Sequence, residues 1–217
     1  MRNIKFAKGE YYHIYNRGVD KRSIFEDKED VLRFLRCMKE FNTVEPTGGL
    51  YANSLPSSKP RGRASRLVSF ITYCLNQNHY HFIIQPLVDD GIQKFMHKLS
   101  TGYTMFFNEK YDRSGSLFQG KYKAVHIETN EQLLHVSVYS NLNDRVHGDL
   151  NKQWLAELPF SSFKEYENPS IKGLCDISVI LDQFSSPQEY CRYANTVLEE
   201  IIKRKQQEKL LRKIIID

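Results

Sequence analysis

Apolar and polar positions alternate along this chain in two periods, and the switches between them mark its elements. Over 11–17 a run of Tyr, His and Ile closes on Asn16-Arg17-Gly18, which predicts a short strand. Over 27–42, Val31, Phe34, Leu35 and Met38 recur at helical spacing with charges between them. Residues 43–66 lose all period and carry Gly48, Gly49, Pro56, Pro60 and Gly62 among Ser and Arg, which predicts a mobile loop. Residues 67–75 and 79–85 are β-branched and aromatic, and Asn76-Gln77-Asn78 joins them as a hairpin. A helix follows over 89–111, with Ile92, Phe95, Met96, Leu99, Tyr103 and Phe106 on one stripe. A fourth strand is expected over 117–127, with Gly120 inside it. Thr129 and Gln132 have the spacing of a capping box, opening a helix that runs to about Asn143. Trp154 and an aromatic, Ser-rich stretch over 159–166 come next, then a long helix over 187–213 with a basic end.

Strand, helix, strand, strand, helix, strand is the split βαβ order of ferredoxin-like, RRM-like α+β folds. It implies an antiparallel sheet with helices on one face, the other face free for a ligand, and a helical C-terminal extension. The expected division is a unit over 1–150 and an extension over 151–217.

Composition narrows the function classes. The chain has 217 residues, 41% hydrophobic and 26% charged, which excludes a disordered or collagen-like chain. No run of about 18 apolar residues exists, so no membrane span is expected. The first residues lack the apolar stretch of a signal peptide, so the expected compartment is the cytoplasm. Cys37, Cys74, Cys175 and Cys191 show no C-x-x-C spacing, which argues for free thiols over a zinc knuckle. The net charge of +5 is small, but its placement is not even. No Asp or Glu occurs between Glu45 and Asp89, a window holding Lys59, Arg61, Arg63 and Arg66. A second basic stretch holds Lys98, Lys110, Arg113, Lys121 and Lys123. Such stretches, in a chain with 13 Tyr and 13 Phe, suit single-stranded nucleic acid.

Two sets of residues bear chemistry. His79 and His81 alternate on a strand, so both imidazoles face one side, while Tyr80, Phe82 and Ile84 face the core. Two imidazoles at that spacing can converge on one metal ion. Tyr139 and Asn143 lie four apart on a helix and share a face, with His135 one turn earlier. A tyrosine hydroxyl can be a nucleophile and an amide oxygen a metal ligand. Free tyrosine keeps its proton to about pH 10, so a base is needed, and His135 is the candidate on that helix. Each set alone also reads as ordinary packing.

The two sets occur in order with other stretches: YYHIYNRGVDKRSIF, CLNQNHYHFII, SGSLFQGKYKA and a helix ending YSNLND. Together they resemble the single-tyrosine HUH transposases, and most closely the REP-associated tyrosine transposases, over about residues 8–150. The resemblance implies paired metal-binding histidines at His79 and His81, a catalytic tyrosine at Tyr139 and a supporting ligand at Asn143. It implies a metal-dependent endonuclease and strand transferase that forms a 5′-phosphotyrosine on single-stranded or hairpin DNA. Ligand type alone fits zinc or another transition metal; the resemblance implies Mg or Mn. Arg17, Lys98, Arg113, Lys121 and Lys123 are the expected DNA-backbone contacts, and Tyr122 is placed to stack on bases. The expected partner is DNA and not membrane, with a monomer or homodimer as the assembly. Asn76-Gln77 stands where the family often has Met-Pro, and Asp144 where it usually has Pro. The second departure keeps open a catalytically inactive hairpin DNA- or RNA-binding module. A zinc phosphohydrolase built on His79, His81, His126 and His13 is a further alternative.

Overall fold

The structure, a computed structural model, describes residues 4–46, 65–147 and 160–216. Most of the loop expected over 43–66, and Trp154, lie outside the described residues. Strands β1 (Tyr11–Arg17), β2 (Val68–Asn76), β3 (His79–Pro86) and β4 (Lys123–Ile127) form one sheet in the order β2-β3-β1-β4. Every pairing is antiparallel. This is the expected α+β sheet, with β1 and β3 in its centre.

Helices α1 (Lys28–Glu40) and α2 (Gly91–Lys110) pack on one face. Alternate residues of the central strands, Tyr12 and Ile14 with Tyr80, Phe82 and Ile84, point into that layer and are buried. They meet Phe34 of α1 and Phe95, Leu99 and Tyr103 of α2. Burying each such side chain contributes roughly 1.5–3 kcal/mol, so this layer carries much of the fold's stability. The Tyr103 hydroxyl donates to the Ile24 carbonyl, so Tyr103 is a core residue. Gly102 lets α2 approach α1 closely, because a Cβ there would run into the Phe41 ring.

The start of α1 is doubly capped. Asp27 accepts from the Asp30 amide at 3.1 Å, and Asp30 accepts in return from the Asp27 amide at 3.3 Å. Lys110, at the end of α2, reaches Asp27, Glu29 and Asp30 at 2.8–2.9 Å. This clasp ties the two helices together.

The fourth strand is shorter than expected. Leu117 and Phe118 are buried in the apolar layer, and Gly120 turns the chain at a φ of 68°. Phe118 still bridges Gly18 at the end of β1, with Val19 N–H donating to the Leu117 carbonyl at 2.9 Å and Gln119 N–H to the Arg17 carbonyl at 2.8 Å; the ladder then breaks at Gly120 and resumes from Lys123.

The opposite face is not left bare. Helix α3 (Asn130–Asn141), short helices α4 (Asn143–His147), α5 (Phe163–Glu167) and α6 (Ser178–Leu181), and the long α7 (Pro187–Ile216) lie there. A second apolar cluster joins Ile71, Ile83 and Ile127 of the sheet to Leu133, Val138, Tyr166, Tyr190 and Ile201. A β-bulge between Phe70 and Thr72 lets Ile71 and Thr72 both face this second layer, Ile71 in its apolar cluster and Thr72 donating to Ser140 at 2.8 Å. The outer edge of β2 is covered too: Leu75 N–H donates to the Phe160 carbonyl at 2.7 Å, and Asp176 N–H to the Phe70 carbonyl at 2.7 Å. No helix among the described residues is long and apolar enough to cross a membrane.

Candidate functional site

Alternation along β1 and β3 puts His13, Tyr15 and Arg17 beside His79 and His81 on the second face. The hairpin between β2 and β3 is tight, and Asn76 pairs with His79 across it. Helix α3 starts where Thr129 accepts from the Gln132 amide at 3.1 Å; the Gln132 side chain reaches the Glu128 amide instead of closing the box on Thr129. The helix carries Tyr139 to the sheet. It ends at Asn141, and Leu142 interrupts the helix before α4 begins at Asn143. Tyr139 and Asn143 are thus near each other across a break, not along one continuous helix.

The polar atoms converge closely. His79 Nε2 lies 3.0 Å from Asn143 Oδ1, and Asn76 Nδ2 donates to both, at 3.1 and 3.0 Å. His79 Nδ1 donates to Asn78 Oδ1 at 2.6 Å, which leaves Nε2 with its lone pair toward Asn143. His81 is perpendicular to His79, with ring centroids 5.2 Å apart, and its Nδ1 lies 2.9 Å from His13 Nε2. Burial pulls the His13 imidazole down to about 4. It is neutral near pH 7, so one of these two facing nitrogens donates to the other. Tyr139 meets the edge of His81 at 5.4 Å and of His13 at 6.1 Å. Lys205 of α7 stands over the Tyr139 ring at 5.1 Å.

These groups fit a divalent cation. Each imidazole has one nitrogen engaged by a neighbour, as in metal-binding histidines. The 3.0 Å between His79 Nε2 and Asn143 Oδ1 equals the spacing of adjacent ligands on a six-coordinate ion with bonds of about 2.1 Å. Asn143 is fully buried, and its Nδ2 has no hydrogen-bond partner, so the residue's one polar engagement is through that oxygen. No group of three or more His, Cys, Asp or Glu among the described residues is arranged for a metal. The donors here include amides.

The remaining expected residues divide by position. Arg17 and Lys123 are exposed on the site face; Arg17 donates to the Gln119 side chain, and Lys123 stands over Tyr15 at 6.0 Å. Lys121 is exposed, and with Tyr122 it lines a cavity of about 500 Å³ against α2. Arg113 lies over the Phe107 ring and donates to Asn108 at 3.1 Å. Lys98 is on α2, on the other side of the sheet, and donates to the Thr43 and Glu45 carbonyls at 2.8 and 2.9 Å. Burial lowers the proton affinity of His135, and the charges acting on it are Arg204 and Glu200 of α7. His126 pairs with Glu10 at 3.0 Å and packs on Tyr12, which faces α1 and α2, so it is not grouped with His13, His79 and His81. Asp144 is buried, which raises its carboxyl above the usual range, and its nearest side-chain contact is the Cys74 thiol at 4.0 Å.

Sequence reading did not single out Asn76 as a contact of the histidines, nor Lys205. His13 entered that reading only as a member of the zinc-phosphohydrolase alternative. His81 is buried and lies under Tyr139, where an open sheet face was expected.

Residues 63–141 match the family described as Transposase IS200 like. That segment holds His79, His81 and Tyr139 and stops two residues before Asn143. A solved structure titled "Structure of the REP associates tyrosine transposase bound to a REP hairpin" shares the fold at a TM-score of 0.52. The two are 15% identical, over 82% of this chain and 88% of the other. No curated protein matches the chain. From the strand bearing the paired histidines to the helix bearing the tyrosine, the chain is similar in sequence to the IS200-like transposases, and its fold is similar to that of the REP-associated tyrosine transposase.

Proposed function

We propose that this chain is a transposase-like DNA endonuclease and strand transferase in which Tyr139 is the nucleophile. The observation that carries the reading is the contact of Tyr139 with His81 at 5.4 Å, beside the convergent His79 and Asn143, within one copy of the chain. The Tyr139 oxygen attacks the phosphorus of a scissile phosphodiester, and the 3′-oxygen leaves. The products are a 5′-phosphotyrosine, which conserves the ester bond for rejoining, and a free 3′-hydroxyl. Tyr139 is half-exposed, so its proton passes to solvent, and the Lys205 ammonium stands over its ring where the phosphate would approach. His79, His81 and Asn143 would hold a divalent cation, Mg or Mn, whose chemistry is Lewis-acid polarisation of the phosphate. Arg17 and Lys123, exposed on the same face, steer the DNA backbone. The unit over 1–150 bears the reacting groups, and the extension over 151–217 adds Lys205.

The substrate class is single-stranded DNA flanking a hairpin. The solved relative is a transposase bound to a REP hairpin, and the exposed basic residues on the histidine face suit a single strand. The test is a denaturing gel of end-labelled hairpin oligonucleotide with Mg or Mn. The wild type should give a protein-linked band, and Tyr139→Phe none while still binding the DNA. Binding without a band in the wild type would identify the non-catalytic module instead.

A further inference from the structure

We propose that Asn76 is a third donor to the cation held by His79 and Asn143, reached by a half-turn of its side-chain amide. The proposal rests on the metal-binding reading above. Its starting point is a triangle. His79 Nε2, Asn143 Oδ1 and the Asn76 amide end-atom are 3.0, 3.1 and 3.0 Å apart pairwise. Three atoms so spaced form one face of an octahedron with bonds of about 2.1 Å.

In the arrangement described, that third atom is Nδ2, and its hydrogens point at the two lone pairs. The NH₂ group therefore does for these lone pairs what a cation would do. Both cannot act there at once, since an N–H donor beside a bound cation is repelled. The other end of the amide is an acceptor oxygen of nearly the same size. The torsion that exchanges the two ends is broad and roughly two-fold. A half-turn brings the oxygen to the present nitrogen position and moves the nitrogen to the side of the Cys74 sulfur. The present contact there is a weak one of 4.0 Å, and the two donations to His79 and Asn143 that the turn gives up are replaced by the cation.

The backbone makes the position dependable. Asn76 is the last residue of β2, it is 9% exposed, and its strand partner is His79 itself. Two amide oxygens added to imidazole make a neutral donor set. It leaves the cation's full charge for the phosphate and suits Mg or Mn better than a thiolate-rich set would. This is also a reason for Asn at the position: a methionine thioether is too soft to serve those ions.

The test uses the full chain with Mn²⁺ as probe, by titration calorimetry. Asn76→Leu keeps the volume and removes the donor, and it should weaken Mn²⁺ binding by about 10-fold or more, as His79→Ala should. Asn76→Cys tests contact directly, because a thiolate that touches the metal recruits a soft ion. Titrated with Cd²⁺, it should show a thiolate-to-metal charge-transfer absorption that the wild type lacks and that His79→Ala removes. Wild-type Mn²⁺ affinity in folded Asn76→Leu overturns the proposal if His79→Ala has lost it. No new Cd²⁺ absorption in Asn76→Cys also overturns it, and this decides the matter if Asn76→Leu fails to fold. Wild-type Mn²⁺ affinity in His79→Ala instead sinks the metal reading, and the proposal with it.

Discussion

The two faces of the sheet are built from the same strands and differ in almost every physical respect. Toward α1 and α2, β1 and β3 present Tyr12, Ile14, Tyr80, Phe82 and Ile84, all buried in an aromatic and aliphatic layer. Toward α3 and α7, the alternate positions present His13, Tyr15, His79 and His81, linked by hydrogen bonds and ring contacts. The two-residue period of a strand therefore separates stability from chemistry at single-residue resolution. Neighbours in sequence, such as His81 and Phe82, should fail in different ways when changed.

The sharpest way to break that contrast is a pair of truncations on β3. Phe82→Ala should cost about 3–5 kcal/mol of stability, because it opens a cavity among Phe34, Phe70 and Tyr80. His79→Ala, half-exposed, should cost under about 1 kcal/mol while abolishing metal-supported cleavage. Chemical denaturation of both variants measures this, and equal destabilisation would erase the distinction between faces.

A smaller effect concerns what holds the stable face together. Lys110→Met leaves Asp30, whose side chain is 0% exposed, without its ammonium partner and should cost about 2 kcal/mol at pH 7. The loss should depend on pH. Burial pushes the Asp27 carboxyl up, but Lys110 and the Asp30 amide outweigh it and hold Asp27 below its usual value. A carboxylate held low stabilises fully above its unfolded pKa and loses that contribution as pH falls through the folded value. The wild type should therefore lose stability on acidification below about pH 4, and Lys110→Met should lose less. Urea midpoints across that range check the sign.

The smallest effect is electrostatic and again divides the faces. Lys123→Ala should flatten the salt dependence of single-stranded DNA binding by about 0.7 in log–log slope. Lys98→Ala, across the sheet with its ammonium on the Thr43 and Glu45 carbonyls, should leave the slope unchanged. Equal slopes for both variants would mean that DNA follows a path other than the histidine face.

What was legible in the sequence was whatever a local period encodes. Strand alternation put His79 and His81 on one side and Phe82 on the other, and helical spacing brought Tyr139 to the sheet. The stretch over 117–122 misled because Phe118 makes only a single bridge to Gly18 before the chain turns at Gly120 and rejoins β1 at Lys123. The expectation that the second face is free failed for a related reason. The segments that cover it, α5 to α7, begin at Phe163, 77 residues after β3 ends at Pro86, and pack on the sheet through one apolar cluster. Lys205 reaches Tyr139 the same way, from a helix 66 residues on, with no local signal. Asn76 looked like turn chemistry, and only the register against His79 turns it toward the site. Asn143 was expected through an uninterrupted helix; it arrives through the break at Leu142.

The central claim, that Tyr139 is the group that becomes joined to DNA, is tested most directly by peptide mapping. Wild-type protein is incubated with a hairpin oligonucleotide and Mn²⁺, digested with trypsin and nuclease, and analysed by mass spectrometry. The tryptic peptide 124–145 contains Tyr139 as its single tyrosine. It should carry a 5′-linked nucleotide on that residue, and no other peptide should. The same modification on Tyr103, Tyr111 or Tyr122, or cleaved DNA with no modified peptide, would contradict the account.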